Sequence, residues 1–277
     1  MKLNRTLSFV CALLLCMAAS AQEKKSTALP NVTVLEKVFE IPGLERPRTV
    51  RVYLPPGYHE ESKSYPVMYM HDAQNLFDDA TSFVGEWGVD ENLNELSKAS
   101  GLNIIVVGID NGQEHRNTEL IPWENKRIGK PEGEAYMSFI VEVIKPYIDQ
   151  EYRTKTDREN TAVMGSSLGG LISHYAIYAY PEVFSMAGIF SPSYWVSEKV
   201  YTFTRNNPVP KDSRLYLLVG KKEGPMMYEA MNEMYDFIKE QGHPEGNISA
   251  KTNPEGEHNE KFWRSEFKEA VKWLFKK

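Results

Sequence analysis

The sequence predicts a three-layer α/β sandwich in which a mostly parallel central sheet follows antiparallel N-terminal strands. Three observations predict it. Five apolar runs, VMYM at 67–70, IIVVGI at 104–109, TAVM at 161–164, MAGIF at 186–190 and LYLLV at 215–219, are short and nearly continuous, as in strands buried on both faces. Segments with helical periodicity separate most of these runs. Two strand-like runs come first, and in the second Val50, Val52 and Leu54 alternate with Arg51 and Tyr53, the pattern of a strand with one wet face. Strands followed by repeating strand–helix units pack as one α/β domain.

The elements follow in order. Lys2 and Arg5 precede an apolar stretch at 7–17 that is too short to span a bilayer comfortably, and Ala19-Ser20-Ala21 offers small residues for cleavage before Gln22; this reads as a secretory signal over 1–21. A lipoprotein reading would use Cys16, but the bulky Leu15 before it ranks that second. Residues 22–30 are expected to be a flexible leader, and 31–277 a single domain with no internal repeat or linker. Strands are expected at 31–41 and 49–54, ended by Pro55-Pro56-Gly57. Helices are expected at 134–147, where Tyr136, Phe139, Ile140, Val143, Ile144 and Tyr147 form one stripe and Pro146 should kink or end it, and at 168–179, 226–240 and 260–275. A last strand fits at 247–252. Two long connections, 110–133 and 191–211, follow buried strands and so belong at the carboxyl edge of the sheet, where ligands bind in such folds.

Composition narrows the function. Of 277 residues, 42% are hydrophobic and 25% charged, which excludes disorder, collagen and coiled coil. Losing 1–21 would leave 256 residues, remove both cysteines, Cys11 and Cys16, and move the formal charge from −6 to −8. The mature chain would then have no disulfide and no thiol nucleophile, and its core suffices without either. Its acidic balance argues against nucleic-acid binding. No other stretch is long and apolar enough to span a membrane, no metal-ligand spacing appears, and no cofactor motif is present.

The chemistry centres on Gly165-Ser166-Ser167-Leu168-Gly169, a G-x-S-x-G between an expected strand and an expected helix. That is the setting of a nucleophile elbow, and Ser167 holds its central position. Serine needs a base to take its proton. His174 lies inside the following helix, and His243 in a helix-ending turn at the far edge of the sheet. His258 follows the last strand and precedes the last helix, where the base belongs. The acid should follow the 215–219 strand, and Glu223 is the first carboxylate there; Glu257 competes, and a Ser–His dyad without a third member is the other arrangement. One oxyanion donor is the Leu168 amide at a helix N-terminus. The other is expected from the loop after 67–70, with Ala73 the candidate. His71 and Asp72 are read as shaping that turn.

With YMHDAQNLFD at 69–78, MGSSLGG at 164–170, FSPSYW at 190–195 and the His258 loop before a helix holding Trp263, the chain resembles the putative-esterase, or esterase D-like, family of α/β-hydrolases over about residues 50–275. That family includes siderophore, acetylxylan and feruloyl esterases, formylglutathione hydrolases and mycolyltransferases. The resemblance implies Ser167 as nucleophile, His258 as base and Leu168 as oxyanion donor. The chain departs from its relatives at Glu223, where many have aspartate, and at Ala73, where glycine is usual and a methyl group would narrow the oxyanion pocket or change the donor.

Trp123, Tyr194, Trp195, Arg116 and Gln74 are candidate substrate contacts, because aromatic rings beside polar groups suit a sugar ring or a phenolic acyl group. The expected activity is that of an exported serine carboxylic-ester hydrolase, periplasmic or secreted, acting on acylated carbohydrate or polyol esters. The alternatives are a siderophore ester hydrolase, which would want a more cationic pocket than Arg116, Lys126 and Arg127 provide, an acyltransferase using the same triad, and a non-catalytic binding protein.

Overall fold

The computed structural model describes residues 24–276; the expected signal segment 1–21, with Cys11 and Cys16, lies outside them. Ten strands form: β1 Val32–Val34, β2 Phe39–Ile41, β3 Arg46–Arg48, β4 Val50–Tyr53, β5 Val67–His71, β6 Ile105–Ile109, β7 Thr161–Ser166, β8 Met186–Phe190, β9 Arg214–Gly220 and β10 Ile248–Asn253. Eight of them make one sheet in the order β1-β4-β6-β5-β7-β8-β9-β10, while β2 and β3 pair separately. β1 and β4 run antiparallel to their neighbours, and the pairs from β6 to β10 are parallel. The fold is therefore an α/β-hydrolase-like sandwich with antiparallel strands at its N-terminal edge.

The helices are α1 Val89–Ser100, α2 Arg116–Glu119, α3 Gly133–Phe139, α4 Lys145–Glu151, α5 Leu168–Ala179, α6 Lys199–Asn206, α7 Pro225–Glu240 and α8 Glu260–Leu274. Strand side chains alternate between two buried cores. Val67, Tyr69 and Val163 pack with α3, α5 and α7, whereas Met68, Met70 and Met164 pack with α1 and α8. A strand that is apolar on both faces is what this double covering requires.

Four local expectations change. The expected strand at 31–41 is split into β1 and β2, and 46–48 adds β3, whose alternation is masked by Pro47 and two arginines. The helix at 134–147 does not end at Pro146. It runs on to Glu151 through a π-helical turn at Ile140–Ile144; widening the turn before a proline accommodates both its missing N–H and its ring. The connections 110–133 and 191–211 hold the helices α2 and α6. The leader is not loose over 24–30. Ser26 Oγ donates to Asp78, Thr27 N to the same carboxylate at 3.0 Å, and Leu29 N to Asp90 at 2.8 Å.

Candidate active site

Ser167 lies between β7 and α5 with φ 59° and ψ −121°, a conformation that costs a non-glycine residue about 1–3 kcal/mol and marks a sharp strand-to-helix turn. The turn is anchored on both sides. Ser167 N donates to Phe190 O at 3.0 Å, and Ser167 O accepts from Leu171 N and Ser193 N, each at 3.1 Å. Gly165 must be glycine, because a Cβ there would lie 2.7 Å from the Gly169 carbonyl oxygen and 2.9 Å from the His71 ring. The Ser167 hydroxyl is 3.4 Å from that of Ser193. Leu168 opens α5, so its N–H is among the first-turn amides that have no intrahelical acceptor.

The loops after β9 and β10 bring Glu223 and His258 together. Glu223 Oε2 is 2.6 Å from His258 Nδ1, and the Glu223 side chain is fully buried while that of His258 is 38% exposed. The other Glu223 oxygen accepts from Ser191 Oγ and Gly220 N, both at 2.7 Å, and Trp263 Nε1 donates to Ser191 Oγ at 2.9 Å. The Trp263 indole also stands edge-on to the His258 ring, centroids 5.0 Å apart. Glu257, the competing acid, instead takes the side-chain amide of Asn259 at 3.3 Å.

Ser167 and His258 line one cavity of about 220 Å³ at the carboxyl edge of the sheet. Asp72, Asn75, Arg116 and Glu260 line its polar side, and Phe83, Val84, Trp87 and Trp263 its apolar side. Arg116 donates through Nε and Nη2 to Asp72 at 2.6 and 2.9 Å, and Asn111 donates to the same carboxylate at 2.7 Å. Burial pushes the Asp72 pKa up, but the Arg116 charge and these hydrogen bonds outweigh it and hold the carboxyl below its usual value. His71, beneath the elbow, contacts Tyr136 Oη through Nδ1 at 2.9 Å, and burial drops its pKa to about 4, so it is neutral at pH 7. Burial raises the Glu260 pKa above the ordinary glutamate value.

Of the sequence-derived site residues, the structure brings Ser167, His258 and Arg116 to this cavity, with Glu223 behind the histidine and the Leu168 amide at the elbow. Ala73 begins a turn of 3-10 helix at Ala73–Asn75 and is fully buried. Its methyl group is directed at Gly108 of β6, where an added Cβ would come within 2.8 Å of it. The remaining candidates lie elsewhere. Gln74 is buried and bridges to Asn111, accepting from its backbone N at 2.9 Å. Tyr194 is buried with its hydroxyl 2.9 Å from His174 Nδ1. Trp123 packs edge-on against Tyr175 and Phe203 and lines a separate cavity with Lys126, Lys130 and Lys199. Trp195 is exposed and is not among the lining residues of the serine cavity. Asn75, Glu260 and the Phe83–Val84 lip were missed; Glu260 beside the expected base was the one legible hint. Among the described residues, no cluster of three or more His, Cys, Asp or Glu side chains is placed to hold a metal ion, and no helix is long and apolar enough to cross a membrane.

Fold and site together define an α/β-hydrolase. Residues 41–274 match the family model described as "Putative esterase", and the chain belongs to that esterase family; it is an ester hydrolase. Among its relatives is an endo-1,4-beta-xylanase/feruloyl esterase of Xylanibacter ruminicola, 26% identical over 237 residues, covering 83% of this chain and 29% of the relative. Another is the ferri-bacillibactin esterase BesA of Bacillus subtilis, 26% identical over 180 residues, covering 56% of this chain and 60% of the relative. The crystal structure of the BES protein from Bacillus cereus shares the fold with a TM-score of 0.72 at 18% identity, covering 91% of this chain and 97% of that one.

Proposed function

We propose that this chain is an exported serine carboxylic-ester hydrolase that removes acyl groups from carbohydrate or other polyol esters. The observation that carries the reading is a strained elbow serine sharing one cavity with a histidine whose far nitrogen is held by a buried glutamate.

The chemistry follows from those three groups. The Glu223 carboxylate accepts the Nδ1 hydrogen of His258, which leaves the lone pair on Nε2. Nε2 takes the Ser167 proton as Oγ attacks the ester carbonyl. Negative charge moves to the carbonyl oxygen, where the Leu168 and Ala73 amides are the candidate donors. The imidazolium, stabilised by Glu223, returns its proton to the departing alkoxide, and the free alcohol leaves an acyl-Ser167. Water then repeats the sequence, its proton passing to His258, and releases the carboxylic acid with Ser167 restored.

Two features of the cavity favour a neutral, hydroxyl-rich substrate over an anionic ferric catecholate. Its one guanidinium, Arg116, is already engaged by Asp72, and Glu260 adds a second carboxyl to the same wall. Lys126 and Lys130 line the separate Trp123 cavity. One relative is named as an endo-1,4-beta-xylanase joined to a feruloyl esterase, which supports the carbohydrate-ester reading. Export rests on the basic, apolar and small-residue pattern of 1–21.

One preparation tests both parts. The exported product of the full chain should begin at Gln22 by mass spectrometry, and it should hydrolyse p-nitrophenyl acetate. Folded Ser167→Ala and His258→Ala should each lose at least about 10³-fold in kcat/KM. Equal activity in wild type and both variants would reject the serine mechanism, and a retained N-terminus would reject export.

A further inference from the structure

The cavity contains a carboxyl group that the proposed triad does not use. Glu260 is the first residue of α8, two positions after His258, and is 8% exposed. Its Oε1 accepts from Asn75 Nδ2 at 3.2 Å, and Asn75 is its one side-chain hydrogen-bond partner among the described residues. Asn75 itself is 4% exposed, and its carbonyl oxygen is buried without a partner. Both residues line the cavity that holds Ser167 and His258.

The neighbouring Asp72 differs in kind. Its two oxygens take three donors from Arg116 and Asn111, so it is saturated by protein. Glu260 and Asn75 bond to each other and still present one acceptor oxygen each. The Asn75 oxygen is buried without a donor, which is costly unless something supplies a hydrogen, and the second Glu260 oxygen takes no side-chain donor. Arg116 turns Nε and Nη2 to Asp72 and makes no hydrogen bond to Asn75 or Glu260 among the described residues. A hydroxyl group of the substrate is a donor that would satisfy the Asn75 oxygen and bond the second Glu260 oxygen.

We infer that Asn75 and Glu260 form an acceptor subsite for a hydroxyl of the ester's alcohol portion, which makes Glu260 a specificity-determining residue for polyol esters. The inference rests on the serine-hydrolase reading and goes beyond it by assigning the wall that recognises the alcohol. A site built to bond a substrate hydroxyl discriminates strongly against the analogue that lacks it, since its buried polar groups are then unpaired.

The test uses two acetate esters that differ only in hydroxyls, glycerol 1-acetate and propyl acetate. Wild type should prefer glycerol 1-acetate by about 10-fold or more in kcat/KM. Glu260→Gln keeps the acceptor for Asn75 and replaces the free oxygen with a donor. It should cut that preference, read as the ratio of the two kcat/KM values, at least about 5-fold, whatever change the two esters share. Glu260→Ala should bring the ratio close to one. A ratio unchanged in both variants would overturn the inference, as would an equal fall on both esters, which would make Glu260 a structural tie between α8 and the 73–75 turn. The controls separate the two levels. Propyl acetate turnover that survives Ser167→Ala strikes the serine mechanism. A wild-type ratio near one, with turnover lost in Ser167→Ala, strikes the subsite alone.

Discussion

Ser167, His174 and Glu223 show how burial decides what a side chain can do. The elbow places Ser167 in a backbone region that its neighbours must hold, and three backbone hydrogen bonds do so. Glu223 is fully buried yet fully occupied, with one oxygen on His258 and the other on Ser191 and Gly220. His174 is buried between Tyr194 and Thr204, and burial drops its pKa from 6.5 to about 3. The folded protein therefore keeps His174 neutral where the unfolded chain binds a proton. Its contribution to stability is complete above pH 6.5 and declines as the pH falls toward 3, by about 1.4 kcal/mol per pH unit in the middle of that range. Asp90 acts in the opposite sense. Burial, reinforced by Glu91, raises its pKa from 3.8 to about 7, so Asp90 favours folding as the pH falls through that window. A variant pair isolates the histidine. In urea titrations, the stability of wild type relative to His174→Asn should fall by about 1.4 kcal/mol per unit between pH 6 and pH 4. A difference that does not vary with pH would contradict a neutral buried His174. The same residues show what the sequence could reveal. The placement of Ser167, His258 and Glu223 at one edge was legible because each position is set by its place after a strand. Tyr194, Gln74 and Trp123 were misjudged because residue type does not say which way a loop side chain faces. Tyr194 faces the core, and Gln74 faces Asn111.

At the scale of elements, the loops after β9 and β10 matter most, since they join Glu223 to His258. They touch backbone to backbone. Lys222 N donates to Gly256 O at 3.0 Å, and a Cβ on Gly220 would sit 2.7 Å from the Gly256 Cα, closer still to its carbonyl. Only glycine permits that approach. Gly220→Ala should therefore push the loops apart, costing about 1–3 kcal/mol in chemical denaturation and at least about 10-fold in ester hydrolysis. Gly246→Ala, with open space around the added Cβ, serves as the control and should change neither. Full activity in Gly220→Ala would mean that the close approach does not position the histidine. Element boundaries were legible where burial is two-sided: β8 and α5 fall at the expected residues. They were not legible where the usual signals are missing: α1 starts after a left-handed Gly88 rather than a capping side chain, and α6 buries only Val200 and Thr204. Pro146 does not end its helix because a π-helical turn accommodates it, a tertiary adjustment that local propensity does not encode.

For the whole molecule, the parallel strands point their carboxyl ends to one edge, and every group assigned a chemical role stands there or on the loops just beyond. The α/β class and the site edge were readable from the order of buried runs alone. The two-sided character of the cavity was not, because Asn75, Glu260, Phe83 and Trp263 come from distant stretches of chain that meet only in the fold. The leader adds to this edge, since 24–29 is hydrogen-bonded to Asp78 and Asp90 on either side of the Phe83–Val84 lip. The central claim, that the ester's acyl group passes through Ser167, is tested most directly by trapping it. Protein mixed with p-nitrophenyl acetate and acid-quenched within the first turnover should carry an acetyl group on the peptide bearing Ser167, and Ser167→Ala should carry none. An acetyl group on Ser193 or another residue, or hydrolysis with no trapped acyl group and full turnover in Ser167→Ala, would contradict the account.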